Sequence, residues 1–327
     1  MEFRKHLFEA LSFVNISFFF IFVVVFYFLY GPEHFPDFQN YYRIASNATS
    51  DTLVDGAIFE NVSKGFLRNE SFFSSPTDRI YFFSLVVQIV IILILMFCVA
   101  INGSNYSSAL ITAAYFFPLF FTTTLRASVT YILFFLMCYL VKLRRLDIFT
   151  FALITFIAIM FHDSGIIFVG VYFTYLVLQR FPKELSQLLV LILGLLVFAS
   201  PILNALLIGF FSNFDFLRFT SYFLDLSFTL SKYLYLSCIS IFVIMLNFFF
   251  KTKDTNLDFI NAAFMLLAML SLVNHVAAVR VSFFSIIAIF YFLGPSIKAI
   301  VVKSNLYLPY FSFVNIVFLI NFYTLLY

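Results

Sequence analysis

The sequence predicts an all-α, polytopic membrane protein: a bundle of about eleven transmembrane helices with a cytoplasmic N-terminus and an extracytoplasmic cap loop. Three observations predict it. Hydrophobic residues make up 63% of the 327 residues and charged residues 11%, whereas an average soluble domain carries about a quarter charged residues. Apolar runs of roughly twenty residues recur from Leu11 to Tyr327, the length a helix needs to cross a hydrocarbon layer roughly 30 Å thick. Those runs, Leu85 to Ala100 for instance, lack the apolar–polar alternation of a barrel strand. Helices are then the elements that satisfy every backbone amide in lipid.

The first run, Leu11 to Tyr30, follows Arg4 and Lys5 and ends at Tyr30-Gly31-Pro32 without a small-residue cleavage pattern. It is therefore read as a retained helix and not a signal peptide. Punctuation at charges, prolines and polar clusters places eleven spans at about 11–30, 80–101, 108–125, 127–141, 147–162, 164–179, 185–211, 233–250, 257–278, 281–297 and 306–327. The pieces beside Arg126 and His162 are short, as tilted or half-embedded helices are. Residues 1–327 form one transmembrane domain on this reading, with two long extracytoplasmic loops, 32–79 and 212–232. The first carries Pro32, Pro36 and Pro76 with Asp37, Tyr41, Tyr42, Arg43 and Glu60, so it reads as a structured cap.

Orientation follows from the cations, because short loops rich in Lys and Arg stay in the cytoplasm. With the N-terminus inside, the inner side receives eleven Lys and Arg against six acids, and the outer side eight against ten. The net charge of +3 is thus an orientation signal and not a nucleic-acid footprint. Cys98, Cys138 and Cys238 fall inside spans without metal-ligand spacing, where cysteine packs as a small apolar residue. With 53 Phe and no Trp, the interfacial belt relies on Tyr. P-loop, GxGxxG, HExxH and GxSxG patterns are missing from the chain, which gives ATP hydrolysis and zinc proteolysis no support.

Three positions carry chemistry in otherwise apolar sequence. Arg126, in Phe120-Phe121-Thr122-Thr123-Thr124-Leu125-Arg126, puts a permanent cation where two spans meet at the outer face. Its planar fork suits phosphate oxygens, although an arginine snorkelling to lipid phosphate reads the same way. His162, in Met160-Phe161-His162-Asp163-Ser164-Gly165, lies in a polar knot between two short spans. Ionisable groups at such depth are functional candidates by default. The imidazole can take a proton from a hydroxyl or donate to a phosphate, and Asp163 can orient it or serve as base itself. Arg280, in Asn274-His275-Val276-Ala277-Ala278-Val279-Arg280, is expected at the outer end of two spans. If the outer helix ends converge, Arg126, His162 and Arg280 form a cationic pocket for a diphosphate. In the cap, Asp37, Tyr41, Arg43 and Glu60 combine carboxylates with aromatics suited to sugar hydroxyls and ring faces.

These stretches resemble the EpsG-like group of Wzy-type polysaccharide polymerases. Asp37-Phe38-Gln39-Asn40-Tyr41-Tyr42-Arg43 with Glu60 downstream looks like that family's exterior D-x-x-x-Y motif and following glutamate. Thr124-Leu125-Arg126, then Lys142-Leu143-Arg144-Arg145, then Phe161-His162-Asp163-Ser164 is similar to its arginine, basic loop and F-H-x-S core. Arg280 before Leu293-Gly294-Pro295 looks like its late arginine and L-P segment. Glu60 is followed by Asn61-Val62-Ser63-Lys64-Gly65-Phe66 where the family has a tighter E-x-G-F.

The resemblance implies a GT-C-like membrane glycosyltransferase in the bacterial inner membrane, its active site facing the periplasm or cell exterior. Such an enzyme moves a growing glycan from undecaprenyl diphosphate onto the next lipid-linked repeat unit, without a cofactor or an obligatory metal. Its partners are the undecaprenyl-diphosphate-linked glycan, membrane lipid and a chain-length regulator protein, and not nucleic acid. Diphosphate binding falls to Arg126, Arg280 and Arg43, sugar contacts to Tyr41 and Ser164, and the base to His162, Asp163, Asp37 or Glu60. A lipid-linked glycan ligase differs only in its acceptor. A flippase would line a path with charge at mid-depth, which these spans lack, and a membrane acyltransferase would usually present its donor site inside.

Overall fold

The computed structural model of the chain describes residues 2–35, 38–46, 61–69, 71, 73–101, 106–122, 125–211, 230–249, 255–272 and 275–326. Of these, 93% are helical and none lies in a strand. Among the described residues the helices are α1 (Glu2–Tyr30), α2 (Phe38–Ser46), α3 (Asn61–Arg68), α4 (Pro76–Ile101), α5 (Tyr106–Thr122), α6 (Leu125–Lys142) and α7 (Ile148–Phe161). They continue as α8 (Ile167–Arg180), α9 (Lys183–Phe211), α10 (Leu230–Phe249), α11 (Thr255–Ser271), α12 (His275–Ser304) and α13 (Tyr307–Leu326). Among the described residues, five helical stretches are long and apolar enough to cross a membrane: Glu2–Tyr30, Pro76–Val99, Lys183–Leu203, Leu230–Phe249 and Ala277–Ser304. Shorter apolar helices occupy the other six expected segments.

Several boundaries differ from the expectation. The first helix starts at Glu2 and not near Leu11. Its charged first turns are held in place, because Glu9 Oε1 accepts from Lys298 Nζ at 2.7 Å and Tyr307 Oη donates to Arg4 O at 2.9 Å. Near the other end of the chain, α11 stops at Ser271, whose hydroxyl turns back to Ala268 O at 2.7 Å, a local bond that competes with helix continuation. Residues 277 and 278 belong to α12 instead, so Arg280 stands within a helix and not between two spans. Cys238 lies on the exposed face of α10, whereas Cys98 and Cys138 are buried.

The chain divides into two compact units, one formed by Met1–Ile166 with Phe290–Tyr327 and the other by Ile167–Ile289. In the first, α5 and α6 form the centre and are buried along most of their described length. Helices α1 and α13 pack on α5, and α6 packs against both α4 and α7. The peripheral helices are apolar all round. On α4, Phe83, Val87, Ile91 and Leu95 are buried while Val86, Ile89, Leu93 and Phe97 are exposed, so its outer face needs lipid as solvent. Part of the phenylalanine excess is explained by the α1–α13 seam, where Phe19 stacks on Phe318 at 4.2 Å and Phe22 and Phe26 meet Phe322 edge-on at 5.1 and 4.6 Å. Large rings reach between helices where smaller side chains would leave voids.

The helix ends are chemically specified. Gly31 (φ +92°) gives its N–H to Tyr27 O at 3.1 Å and ends α1 before Pro32, the usual left-handed stop. Arg144 takes the same left-handed role (φ 55°) after α6, with Arg145 N–H reaching Leu140 O at 2.9 Å. Asp147 then caps α7, accepting from Thr150 N–H at 2.8 Å and Thr150 Oγ1 at 3.0 Å, which satisfies one of the orphan amides of the first turn.

The second unit is built around α11, which packs on α8, α9 and α10. Asn247 and Asn261 exchange side-chain amide bonds at 2.8 and 2.9 Å, and the Gln187 side chain donates to Asn247 O. This buried amide pair ties α9, α10 and α11 together where an unsatisfied amide would be costly.

Candidate functional site

His162 ends α7 in an extended conformation (φ −160°, ψ 140°), and its N–H bonds Ala158 O at 3.0 Å. The chain then folds back in a 3-10 turn, Asp163–Ile166, with Gly165 N–H on His162 O at 2.9 Å. Gly165 fits because it has no side chain: a Cβ there would lie 2.6 Å from Ile159 N and 2.7 Å from Ala158 C. The half-buried imidazole is fixed from the same turn. Ser164 N–H donates to His162 Nδ1 at 3.1 Å, and Ser164 Oγ lies 2.9 Å from the same nitrogen.

Helix α6 brings its beginning to this turn. Thr130 Oγ1 donates at 3.1 Å to Ala158 O, the carbonyl that His162 N–H also uses, and α6 packs against the 3-10 turn itself. Arg126 stands one helical turn before Thr130 on α6. The corner leading into α6 is tied as well, by Ser128 Oγ to Phe120 O at 2.9 Å and by the stacked rings of Phe120 and Tyr131, 5.5 Å apart. The start of α6, which carries Arg126, and the end of α7, which carries His162, are therefore neighbours within one unit. The side chains of Arg126 and Asp163 lie outside the described residues.

The cap contributes two short helices to the same unit. Helix α2 packs on α4, and α3 packs on α2, α4 and α7. Arg43 is exposed on α2, whereas Tyr41 is only 2% exposed, with its ring 5.9 Å from that of Phe83. Asp37 and Glu60 lie outside the described residues, as does most of the loop 212–232. Beneath the cap, Arg79 is 2% exposed and donates Nη2 to Ala45 O at 2.9 Å. A cation at the last turn of α2 favours the helix's negative end and joins cap to span. Arg280 is exposed in the second turn of α12 and belongs to the second unit. Among the described residues no three His, Cys, Asp or Glu side chains come together.

The residues that hold this arrangement, Thr130, Gly165 and Arg79, were not among those the motifs singled out. Arg79 had a signal in the sequence, a cation within the first turn of a long apolar run. Thr130 had none, since a threonine in an apolar helix does not disclose its partner. Comparisons of the chain with family models, with curated proteins and with solved structures each returned no match.

Proposed function

We propose that this chain is a membrane glycosyltransferase that polymerises undecaprenyl-diphosphate-linked repeat units into a surface polysaccharide, working at the extracytoplasmic face of the bacterial inner membrane. The observation that carries the reading is the adjacency of two separate motif segments, the start of α6 with Arg126 and the turn His162–Ser164, joined through Thr130 and Ala158. Both belong to the likeness to EpsG-like polymerases, and a cap of α2 and α3 packs in the same unit.

In the proposed reaction a hydroxyl oxygen of the incoming repeat unit attacks the anomeric carbon of the growing glycan. The bond from that carbon to the diphosphate breaks, and undecaprenyl diphosphate leaves with the electron pair. The hydroxyl proton passes to a base, for which His162, Asp163, Asp37 and Glu60 are the candidates. Arg126, with Arg43 on the cap, offsets the charge that develops on the leaving diphosphate. Arg280, in the second unit, is a further candidate for binding the diphosphate.

Gel analysis of surface polysaccharide from a deletion strain tests the reading. A single repeat unit per lipid is the expected product. Full-length unattached glycan would replace the reading with a ligase, and no surface product with a flippase.

A further inference from the structure

We infer that Arg68, in the last turn of cap helix α3, is a phosphate-binding residue and takes the diphosphate of the lipid-linked substrate, a role that rests on the polymerase reading. No motif singles this arginine out. What marks it is its bonding. Arg68 is half-buried, and its Nε–H is closed to water yet meets no acceptor. Arg79 beneath the cap gives Nη2 to Ala45 O at 2.9 Å, whereas among the described residues no carbonyl or carboxylate does the same for Arg68. A guanidinium keeps its charge at any physiological pH, so loss of a proton gives no relief, and a buried N–H without an acceptor is costly. The negative end of α3 accounts for a cation in its last turn, but that attraction does not require Nε to leave water. A phosphate accounts for both, because the planar fork of an arginine matches two of its oxygens.

The fold sets Arg68 at the end of the first unit that carries His162 and the start of α6. Phe66, two residues earlier, has its ring 5.7 Å from that of Phe82 and 5.8 Å from that of Phe83, in the second turn of α4. Helices α4 and α6 pack together, and Cys98 near the end of α4 is close enough to Cys138 near the end of α6 to interact electrostatically. The two helices therefore run in the same direction. Phe83 stands fifteen residues before Cys98, and Leu125, the first residue of α6, thirteen before Cys138, so Phe83 is nearly level with the start of α6. Thr130 joins that start to Ala158 near the end of α7. Since α3 packs on α7 as well as on α4, the end of α7 that it meets is the one before His162. Phe66 and the fully buried Leu67 anchor α3, which leaves the arginine beside them available to a ligand.

For the test, the full chain is reconstituted in phosphatidylcholine nanodiscs with undecaprenyl diphosphate as the probe. Arg68→Gln keeps N–H donors and loses the charge. It is expected to bind the probe about tenfold or more weakly, the scale of one lost charge-assisted contact, with the unfolding temperature of the wild type. Undiminished binding overturns the proposal. Should the Gln variant fail to fold, Arg68→Lys, which keeps the charge without the fork, replaces it: weakened binding is expected, and binding equal to wild type overturns the proposal.

Phosphatidylglycerol, added as a competitor, separates the two lipids that could supply the phosphate. Undecaprenyl diphosphate is expected to stay bound against an excess of it. Displacement by an equal amount would make Arg68 a phospholipid contact and overturn its assignment to the substrate. Full-length polymer in the deletion strain would defeat the polymerase reading by itself, a result on which the binding measurement does not depend.

Discussion

Around His162 the chemistry is set by small residues as much as by ionisable ones. Gly165 allows the 3-10 turn to lie on the last turn of α7, and the turn aims the imidazole. Gly165→Ala must push the turn away from Ala158 and Ile159, so it is expected to destabilise the protein by about 1–3 kcal/mol and to shorten the polymer. Thermal unfolding of the purified protein and a polysaccharide gel check the two halves. At the other end of α7, Thr150 donates its amide and hydroxyl to Asp147 and holds that exposed carboxyl below its ordinary value. A depressed folded pKa means the carboxylate stabilises the fold above its unfolded pKa, and that contribution fades as pH falls through the folded one. Unfolding midpoints of wild type and Asp147→Ala should therefore differ near neutral pH and converge in acid, below about pH 4. A difference that persists unchanged in acid would assign the effect to something other than this cap.

Among the helices, α12 comes close to α5 at Gly294. A Cβ on Gly294 would overlap the Ser108 hydroxyl and lie 2.6 Å from Ser108 N, while Ser108 Oγ donates to Tyr291 O at 2.8 Å. Small residues let transmembrane backbones come this near, and the hydroxyl then finds a carbonyl on its neighbour. Gly294→Leu is expected to separate the pair at a cost of about 3 kcal/mol or more, read as a lowered unfolding temperature, whereas an unchanged temperature would mean the crossing tolerates bulk. The resemblance reads Leu293-Gly294-Pro295 as a family segment, and the packing gives its glycine a physical reason within this chain. Lys298, one turn further along α12, pairs with Glu9 and lies 5.9 Å from the centre of the Phe8 ring. That contact explains why α1 is helical from Glu2.

Over the whole chain, helical class and the positions of the apolar segments could be read from hydropathy, because a membrane helix must be apolar for its full crossing. Where each helix ends was less readable. Hydropathy stops at Leu11 and Arg280, whereas the helices run through charged residues whose partners, such as Lys298 for Glu9, are distant in sequence. The candidate site followed the same rule. His162 and Arg126 stood out as polar exceptions in apolar sequence, but the bond from Thr130 to Ala158 that brings their helices together joins residues with no pattern between them. The proposed outward orientation of the His162 turn has its own check: in a chain otherwise free of cysteine, Asp163→Cys should react with an impermeant thiol reagent from outside, and labelling only from the cytoplasm would invert the topology. The most direct measurement is reconstitution. The purified chain in nanodiscs, given undecaprenyl-diphosphate-linked repeat units extracted from the deletion strain, should produce a ladder of longer lipid-linked glycans with release of undecaprenyl diphosphate, and Arg126→Ala should produce none. Repeat units left unextended by the wild-type chain, or an undiminished ladder from Arg126→Ala, would contradict the account.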